Sequence, residues 1–420
     1  MKILMAAEFF RPYAYGGSEW SVYTLAKALV KRDHDVIILT PNYGGKSAEY
    51  WEKIAISRIP FFFKLNRRKR ADVSPFWFTN IVWWIISFFY LLITVKKRNV
   101  DIIHVQGKYF LPAAYCVKHL TGIPVVVTLR DYQILCPFGF CLTAERKYKA
   151  CGFKDLIIWD FNYQLKMYSS GRYPIVIFLQ LIAAIRGKFI SLLLKQLVNK
   201  MDVRICISQK QQQIFRTNGI KDSSVVYNMA FFPPPAKTRN IDNTLLFVGR
   251  LTPGKGILLL LDSFEGLPKH FKSRLIIIGD GFLAKAIKKR ILEKRLTGAI
   301  YLLGQKSYPN TLEMMRKVKF VVMPSIWEEP FGRVALEALS IGTPVIASDR
   351  GALPEIITDN QTGYISKPTK GQLQKTIIKG LHNYSRIHSS LRHQRQDLKE
   401  QFLHTPLDRH IDIYKKLVKR

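Results

Sequence analysis

The stretch Pro324-Ser-Ile-Trp-Glu-Glu-Pro-Phe-Gly-Arg-Val-Ala-Leu-Glu-Ala-Leu-Ser-Ile-Gly-Thr-Pro-Val-Ile-Ala-Ser348 decides the fold class. Short apolar runs, 320–323 before the polar segment and 344–347 after it, have the composition of strands buried on both faces. Between them lies a Pro/Gly-containing loop with Glu329, then a helical pattern over 331–341 that carries Glu337 eight residues further on. Strand, polar loop, helix, strand is a crossover unit of a parallel α/β sheet. Ligands of such sheets sit at the carboxyl ends of the strands. Glu329 therefore belongs at the mouth of a crevice, and Glu337 about two turns into the helix that opens there.

The same rhythm runs outward in both directions. Before it, strands are expected at 3–6, 35–39, 101–105, 124–129, 202–207 and 224–227, with helices at 19–30, 111–120 and 209–216. A proline-rich break, Phe231-Phe-Pro-Pro-Pro235, interrupts it as a stiff extended link. Strands then resume at 245–248, 274–278, 300–303, 320–323 and 344–347. A chain of 420 residues is long enough for two cores, because one core rarely grows beyond about 250–300 residues. The expected fold class is α/β with two Rossmann-like parallel-sheet domains. The first spans 1–235, the second 236–395, and 396–420 is a polar helical tail.

Leu246-Phe-Val-Gly-Arg-Leu-Thr-Pro-Gly-Lys-Gly256 sets Arg250 and Lys255 among glycines after a strand. Arginine presents a planar fork to phosphate oxygens and lysine a compact cation, while Gly249, Gly254 and Gly256 permit close backbone approach. Helices starting near Gly256 and Phe331 would point unpaired N–H groups at an anion. Ordinary solvated cations are the plain alternative for Arg250 and Lys255. Similarly, a helix-start acid favoured by the macrodipole is the plain alternative for Glu329 and Glu337. Further on come Asp349-Arg-Gly-Ala-Leu-Pro-Glu-Ile-Ile357 and Asn360-Gln-Thr-Gly-Tyr364, and the chain opens with Lys2-Ile-Leu-Met-Ala6 followed by Gly16-Gly-Ser-Glu19.

Taken in order, these segments resemble retaining glycosyltransferase family 4, the two-domain GT-B type, whose signature is a Glu pair spaced E-x7-E. The resemblance covers most of the chain. It implies a cleft between the domains, a final helix that crosses back to the first, and a nucleotide-sugar donor held by the second. Glu329 would contact the donor sugar near the reacting centre and Glu337 the two ribose hydroxyls. Arg250 and Lys255 would take the diphosphate, with Phe331, Gly332 and Arg333 lining it. Gly279 lies at the cleft turn, and Gly304 and Gln305 lie where the base is read. Counting alone does not separate Glu329 from its neighbour Glu328; the spacing and the Glu-Pro-Phe-Gly order favour Glu329.

On the acceptor side, Thr128-Leu-Arg-Asp-Tyr-Gln-Ile-Leu-Cys-Pro137 resembles the segment that usually carries a His-Asp pair, with Arg130 in the histidine place. Arginine only donates, so Arg130 cannot be a general base, though it can bind phosphate or polarise a donor-sugar oxygen. Asp131 would orient Arg130 or a hydroxyl, or merely cap its loop. His104, at a strand end, reads either as a structural residue or as an acceptor contact. Gly16 and Gly17 let backbone approach a ligand at the positive end of the following helix.

The formal charge is +35, from 65 Lys and Arg against 30 Asp and Glu. Such an excess suits an anionic membrane, a polyanion or phosphorylated substrates. No zinc-finger spacing, RNP motif or helix-turn-helix accompanies it, so nucleic acid is not an expected partner. The segment 76–95 is rich in Trp, Phe, Ile and Leu between basic flanks, Lys64, Arg67, Arg68, Lys69 and Arg70 before it and Lys96, Lys97 and Arg98 after it. Positive charge on both sides argues against a simple span and for a helix or hairpin in the interface, with Trp83, Trp84 and Phe88 as its apolar contacts. The run 175–200 either extends that surface or faces the core.

The opening residues do not read as a signal peptide, and the expected location is the cytoplasmic face of the cell membrane, peripheral or monotopic. The acceptor is then expected to be a lipid-linked saccharide or glycolipid, used in cell-surface glycan assembly. A soluble-acceptor transferase of the sucrose or glycogen type and a silent nucleotide- or glycan-binding scaffold are the alternatives. No cofactor beyond the UDP- or GDP-sugar substrate is expected, and no metal, since no Asp-x-Asp pair stands at a suitable strand end. Cys136, Cys141 and Cys151 cluster around Gly and Pro; they would need a fourth ligand from elsewhere to hold a metal, and the spacing is a weak zinc signal.

Overall fold

The computed structural model describes residues 1–13, 16–65, 73–139, 152–161, 165, 174–234 and 243–419. The chain divides into two compact units, Met1–Met229 with Thr405–Arg420, and Ala230–His404.

The first unit holds an eight-stranded sheet: β1 Lys2–Ala6, β2 Asp35–Asn42, β3 Ala48–Trp51, β4 Ile54–Pro60, β5 Ile102–Val105, β6 Val125–Leu129, β7 Val203–Cys206 and β8 Ser223–Val225. Their order is β3-β4-β2-β1-β5-β6-β7-β8. Every pairing is parallel except that of the edge strand β3, which runs antiparallel to β4. The β3–β4 hairpin is absent from the sequence reading. Its turn places Glu52 and Lys53 at φ +48° and +67°, a conformation normally marked by Asn-Gly, and these residues give no such mark.

The second unit holds six parallel strands: β9 Thr244–Val248, β10 Arg274–Ile278, β11 Ile300–Leu302, β12 Phe320–Met323, β13 Val345–Ser348 and β14 Gly363–Ser366. Their order, β11-β10-β9-β12-β13-β14, is the 3-2-1-4-5-6 winding of a dinucleotide-type fold. The two Rossmann-like sheets expected from the sequence are thus present. The order in which successive strands are added reverses between β9 and β12 in one sheet, and between β1 and β5 in the other. Loops at the carboxyl ends of those four strands are where ligand chemistry is expected.

Each sheet has its own core. In the first it is built from strand residues such as Leu4, Leu39, Ile103 and Val127 with Trp83, Leu91 and Phe110 of the covering segments. In the second, Leu245, Ile277 and Val322 meet Leu260, Ile287 and Ile377. The helix Thr405–Val418 closes the chain on the first unit, where Arg409 donates to the Val225 carbonyl at 3.1 Å and Arg32 pairs with Asp408 at 3.3 Å.

Segment 76–95 is a short 3-10 turn, Pro75–Phe78, followed by the helix Ile81–Arg98. Asn80 caps the helix by accepting from the Trp83 N–H at 2.8 Å, and Asn99 ends it in the left-handed conformation. One stripe, Trp83, Ser87, Leu91 and Val95, is buried in the core, whereas Ile81, Val82, Ile85, Phe89 and Ile93 face outward. The expectation for Trp83 is therefore corrected: it is 0% exposed and cannot meet a bilayer, and Trp84 and Phe88 are partly buried against the same core. A spacing of four residues per repeat turns 83, 87, 91 and 95 to one side, and aromatic content alone does not say which side that is.

The run 175–200 lies in the helix Pro174–Lys200, long and apolar enough to cross a membrane. Both readings apply to parts of it: Ile175, Phe178, Leu179, Ile182 and Phe189 are exposed, whereas Ala184, Lys188, Ser191, Leu194 and Val198 are buried, Leu194 and Val198 within the first sheet's core. The basic residues Arg67, Arg68, Lys69 and Arg70, and Cys141 and Cys151, lie outside the described residues. Cys136 is buried and packed with Phe138.

Candidate active site

At the switch point of the second sheet, the loop after β9 meets the loop after β12. Gly254 offers its carbonyl to the N–H groups of Ile326 and Trp327, at 2.9 and 3.3 Å. Gly256 sits at φ +69°, where a Cβ would stand 1.8 Å from the Pro324 carbonyl oxygen, so only glycine lets the two loops touch. This contact brings Lys255 and Glu329 together, 74 positions apart in sequence, with Nζ donating to Oε1 at 2.6 Å. The same oxygen accepts from Ser325 Oγ at 2.6 Å and Trp327 Nε1 at 2.9 Å, and the ammonium lies 4.9 Å from the Trp327 ring centroid. Burial pushes the Glu329 carboxyl up, but the Lys255 charge and the three donors outweigh it, and the net shift is downward. Glu329 is an ionised carboxylate in a buried setting.

Glu328 is equally buried but points elsewhere. Its Oε2 accepts from the Gly351 N–H at 2.7 Å, and Arg350 lies 3.8 Å from Oε1. It clamps the loop after β13, whose Ala352 N–H donates to the Glu329 carbonyl.

Gly332, at φ +102°, opens the helix Arg333–Ser340. One turn in, Glu337 Oε1 accepts from Arg333 Nε at 2.6 Å, and the Tyr308 hydroxyl bonds to both side chains. Burial raises Glu337 in spite of these partners, and raises Tyr308 as well. The Phe331 ring is buried, 6.3 Å from that of Phe402. Gly249, Gly279 and Gly304 line up across the ends of β9, β10 and β11: Gly249 donates to the Ile278 carbonyl at 3.1 Å, and Gly279 to that of Gly304 at 2.9 Å. A Cβ on Gly279 would stand 1.8 Å from the Gly249 oxygen. Arg250 and Gln305 extend into solvent at the same edge.

The first unit's switch point carries residues absent from the sequence reading. Glu8, after β1, accepts from the Tyr109 N–H at 2.8 Å, and Oε2 lies so close to Gly107 that a Cβ there would be 1.9 Å away. Burial raises its carboxyl against the lowering effect of Lys108. Lys108 Nζ meets Asp131 Oδ2 at 2.5 Å, while Asp131 Oδ1 accepts from the Gln133 N–H at 2.9 Å. Burial works against the Lys108 ammonium, but Asp131, Tyr109 and Glu8 outweigh it and raise its pKa.

The structure therefore places Asp131 on Lys108 and on its own loop, rather than on Arg130. Arg130 instead donates through Nε to Gln106 Oε1 at 3.1 Å, through Nη2 to the same oxygen, and through Nη1 to Asn228 Oδ1 at 2.8 Å. His104 is fully buried between Tyr414 and Thr128, and its structural reading is the one the fold supports. Gly16 is the extended N-cap of the helix Gly17–Val30, and Glu19 folds back over it, its Oε2 2.8 Å from where a Gly16 Cβ would stand.

Among the described residues, no three His, Cys, Asp or Glu side chains are grouped to hold a metal ion. Glu8, Lys108 and Tyr308 come from segments far apart in the chain, and Ser325 and Trp327 from the loop that carries Glu329. Only Ser325-x-Trp-x-Glu329, alternating along one segment, could have been noticed in sequence.

The family profile described as Glycosyltransferase Family 4 matches residues 15–229, and that described as Glycosyl transferases group 1 matches residues 231–401. An uncharacterized glycosyltransferase of Methanocaldococcus jannaschii is 28% identical over 388 residues, 91% of this chain and 89% of that protein. The solved sucrose-phosphate synthase of Thermosynechococcus elongatus aligns with TM-score 0.74 and 17% identity, over 99% of this chain and 98% of the other. Anabaena HepE in complex with UDP-glucose aligns with TM-score 0.68 and 16% identity, over 99% of each chain. The shared architecture is GT-B, two Rossmann-like units with a C-terminal helical segment.

Proposed function

This chain belongs to Glycosyltransferase Family 4, and we propose that it is a retaining transferase. In this reading it moves a sugar from a UDP- or GDP-sugar to a membrane-lipid-linked saccharide or glycolipid during cell-surface glycan assembly. The observation that carries the reading is the ion pair of half-buried Lys255 with buried Glu329 at the second sheet's switch point, with Ser325 and Trp327 on the same carboxylate oxygen. Lys255 and the exposed Arg250 meet the negative charge that grows on the departing diphosphate. Glu329 contacts the donor sugar beside the reacting carbon, and Glu337, held by Arg333 and Tyr308, takes the ribose hydroxyls. Phe331, Gly332 and Arg333 line the diphosphate, while Gly249, Gly279, Gly304 and Gln305 line the nucleotide. Arg130 and Asp131 act on the acceptor side, with Gly16 and Gly17 at the neighbouring helix start.

In the transfer step the bond between the anomeric carbon and the diphosphate oxygen breaks. The acceptor oxygen bonds to that carbon from the same face, and its proton passes to the departing phosphate oxygen. Arg130 takes no proton, since a guanidinium only donates. Protein cations carry the electrostatic work in place of a metal, so transfer is expected to persist in excess chelator; loss restored by Mn²⁺ or Mg²⁺ would overturn that point. The outward apolar faces of Ile81–Arg98 and Pro174–Lys200, with Lys96, Lys97 and Arg98 exposed beside them, support a peripheral position on the cytoplasmic membrane face.

The test is transfer from a panel of nucleotide sugars to the polar lipid fraction of the source cells, with mass analysis of the product. A glycosylated lipid is expected, and it should vanish in Glu329→Ala and fall steeply in Lys255→Ala. Unchanged transfer by the double variant would sink the site assignment. Full-rate transfer to a soluble sugar without membranes would sink the lipid acceptor.

A further inference from the structure

A continuous path of buried side chains joins the C-terminal helix to Arg130. The Tyr414 hydroxyl lies 2.6 Å from His104 Nδ1, and the Thr128 hydroxyl 2.7 Å from Nε2. The Gln106 amide nitrogen lies 3.1 Å from both ring nitrogens, and its oxygen receives two donors of the Arg130 guanidinium, whose third goes to Asn228. Tyr414 and His104 are 0% exposed, Gln106 4% and Thr128 6%. Buried polar groups need their partners, so loss of one leaves its neighbour unsatisfied and each group fixes the next.

We infer that Tyr414 is a positioning residue for Arg130: its hydroxyl sets the His104 ring, which sets the Gln106 amide, which holds the guanidinium in plane. The inference rests on the reading of Arg130 as a ligand-contacting residue given above. Burial keeps His104 well below its ordinary pKa and therefore neutral, with one ring nitrogen donating and the other accepting. Hydroxyls stand on both nitrogens, so each tautomer is served and the ring has no reason to turn. Two bonds to one amide oxygen and a third to Asn228 then fix the guanidinium plane as well as its position. The consequence is functional: residues 405–418, about 275 positions beyond Arg130 in sequence, take part in setting the geometry of the acceptor-side site.

The experiment is a double-mutant cycle on full-length protein, with Tyr414→Phe, Arg130→Ala and both together. It is read by kcat and KM for transfer from the active nucleotide sugar to the polar lipid fraction, and by the Arg130 Nε–Hε resonance of ¹⁵N-arginine-labelled protein, identified as the signal that Arg130→Ala deletes. In the wild-type background Tyr414→Phe should lower kcat/KM roughly tenfold, the scale of one lost buried hydrogen bond. In the Arg130→Ala background it should have no further effect, and in the single variant the resonance should move. A purely structural tyrosine would lower transfer by the same factor in both backgrounds and leave the resonance in place, and either result overturns the inference. If Arg130→Ala itself transfers at the wild-type rate, the reading of Arg130 as a ligand contact fails, while the resonance still decides whether Tyr414 positions it. Should Tyr414→Phe not fold, Thr128→Val, at the other ring nitrogen, is read in the same way.

Discussion

Glu329 and Glu337 are both buried, yet their surroundings move them in opposite directions. Desolvation acts on each, but a lysine and two neutral donors overcome it at Glu329, whereas Arg333 and Tyr308 do not at Glu337. The two should therefore contribute oppositely to stability in acid. Glu329 is depressed below its ordinary 4.5, so the unfolded chain binds the proton first; its stabilisation is present above that value and is lost as pH falls through the folded one. Glu337 is raised above 4.5, so the folded chain binds first and acidification through that range favours folding. Thermal unfolding followed from neutrality down through the carboxylate range checks this. Glu329→Gln should flatten the acid loss of Tm, and Glu337→Gln should steepen it; equal slopes in both variants would contradict the assignment. The spacing of the pair is legible in sequence because it follows the chain. What each acid touches is not, since Lys255, Tyr308 and Gly351 arrive from other loops. The choice between adjacent Glu328 and Glu329 as partner of Lys255 is of that kind.

The strand-end loops hold their geometry through glycines that admit no side chain. At Gly256 a Cβ would stand 1.8 Å from a backbone oxygen, and at Gly351, φ +60°, it would stand 2.1 Å from the Glu329 carbonyl oxygen. Relief in either case needs backbone movement, which would draw Lys255 or Glu329 out of register. Gly256→Ala and Gly351→Ala should each cost on the order of 1–3 kcal/mol of stability, and should weaken nucleotide-sugar binding at least tenfold by calorimetry. Gly298→Ala, with nothing within 4 Å of the added carbon, should change neither. Wild-type binding in Gly256→Ala would show that the loops tolerate separation. Elements of this kind read well from sequence: apolar runs bounded by turns marked both sheets, because parallel strands are buried on both faces. The β3–β4 hairpin escaped because its edge strand is exposed and its turn is built from Glu52 and Lys53. The helix Ile81–Arg98 was visible as a hydrophobic segment, but being apolar all round it gave no sign of which stripe packs inward.

At the scale of the molecule, an excess of 35 positive charges coexists with two helices that leave apolar side chains outside the core. A basic surface is held to anionic headgroups by a force that salt screens, and apolar side chains by one that salt does not. These components separate experimentally. Wild-type protein should sediment with anionic vesicles at low salt and keep a resistant fraction near 1 M, where the Debye length is about 3 Å. Lys96→Glu, Lys97→Glu and Arg98→Glu together should weaken only the low-salt component. Ile85→Ser, Phe89→Ser and Ile93→Ser lie on one outward stripe, with Phe89 52% exposed. Together they should abolish the resistant fraction while leaving Tm nearly unchanged, since surface changes are usually within about 0.5 kcal/mol each. Trp83→Ala should do the reverse, costing about 3–5 kcal/mol of stability because it empties a core site and removes nothing from the surface. Retention of salt-resistant binding by the triple serine variant would move the membrane contact to Phe178, Leu179 and Ile182 of the longer helix. Loss of binding in Trp83→Ala at unchanged Tm would contradict the inward orientation of that stripe.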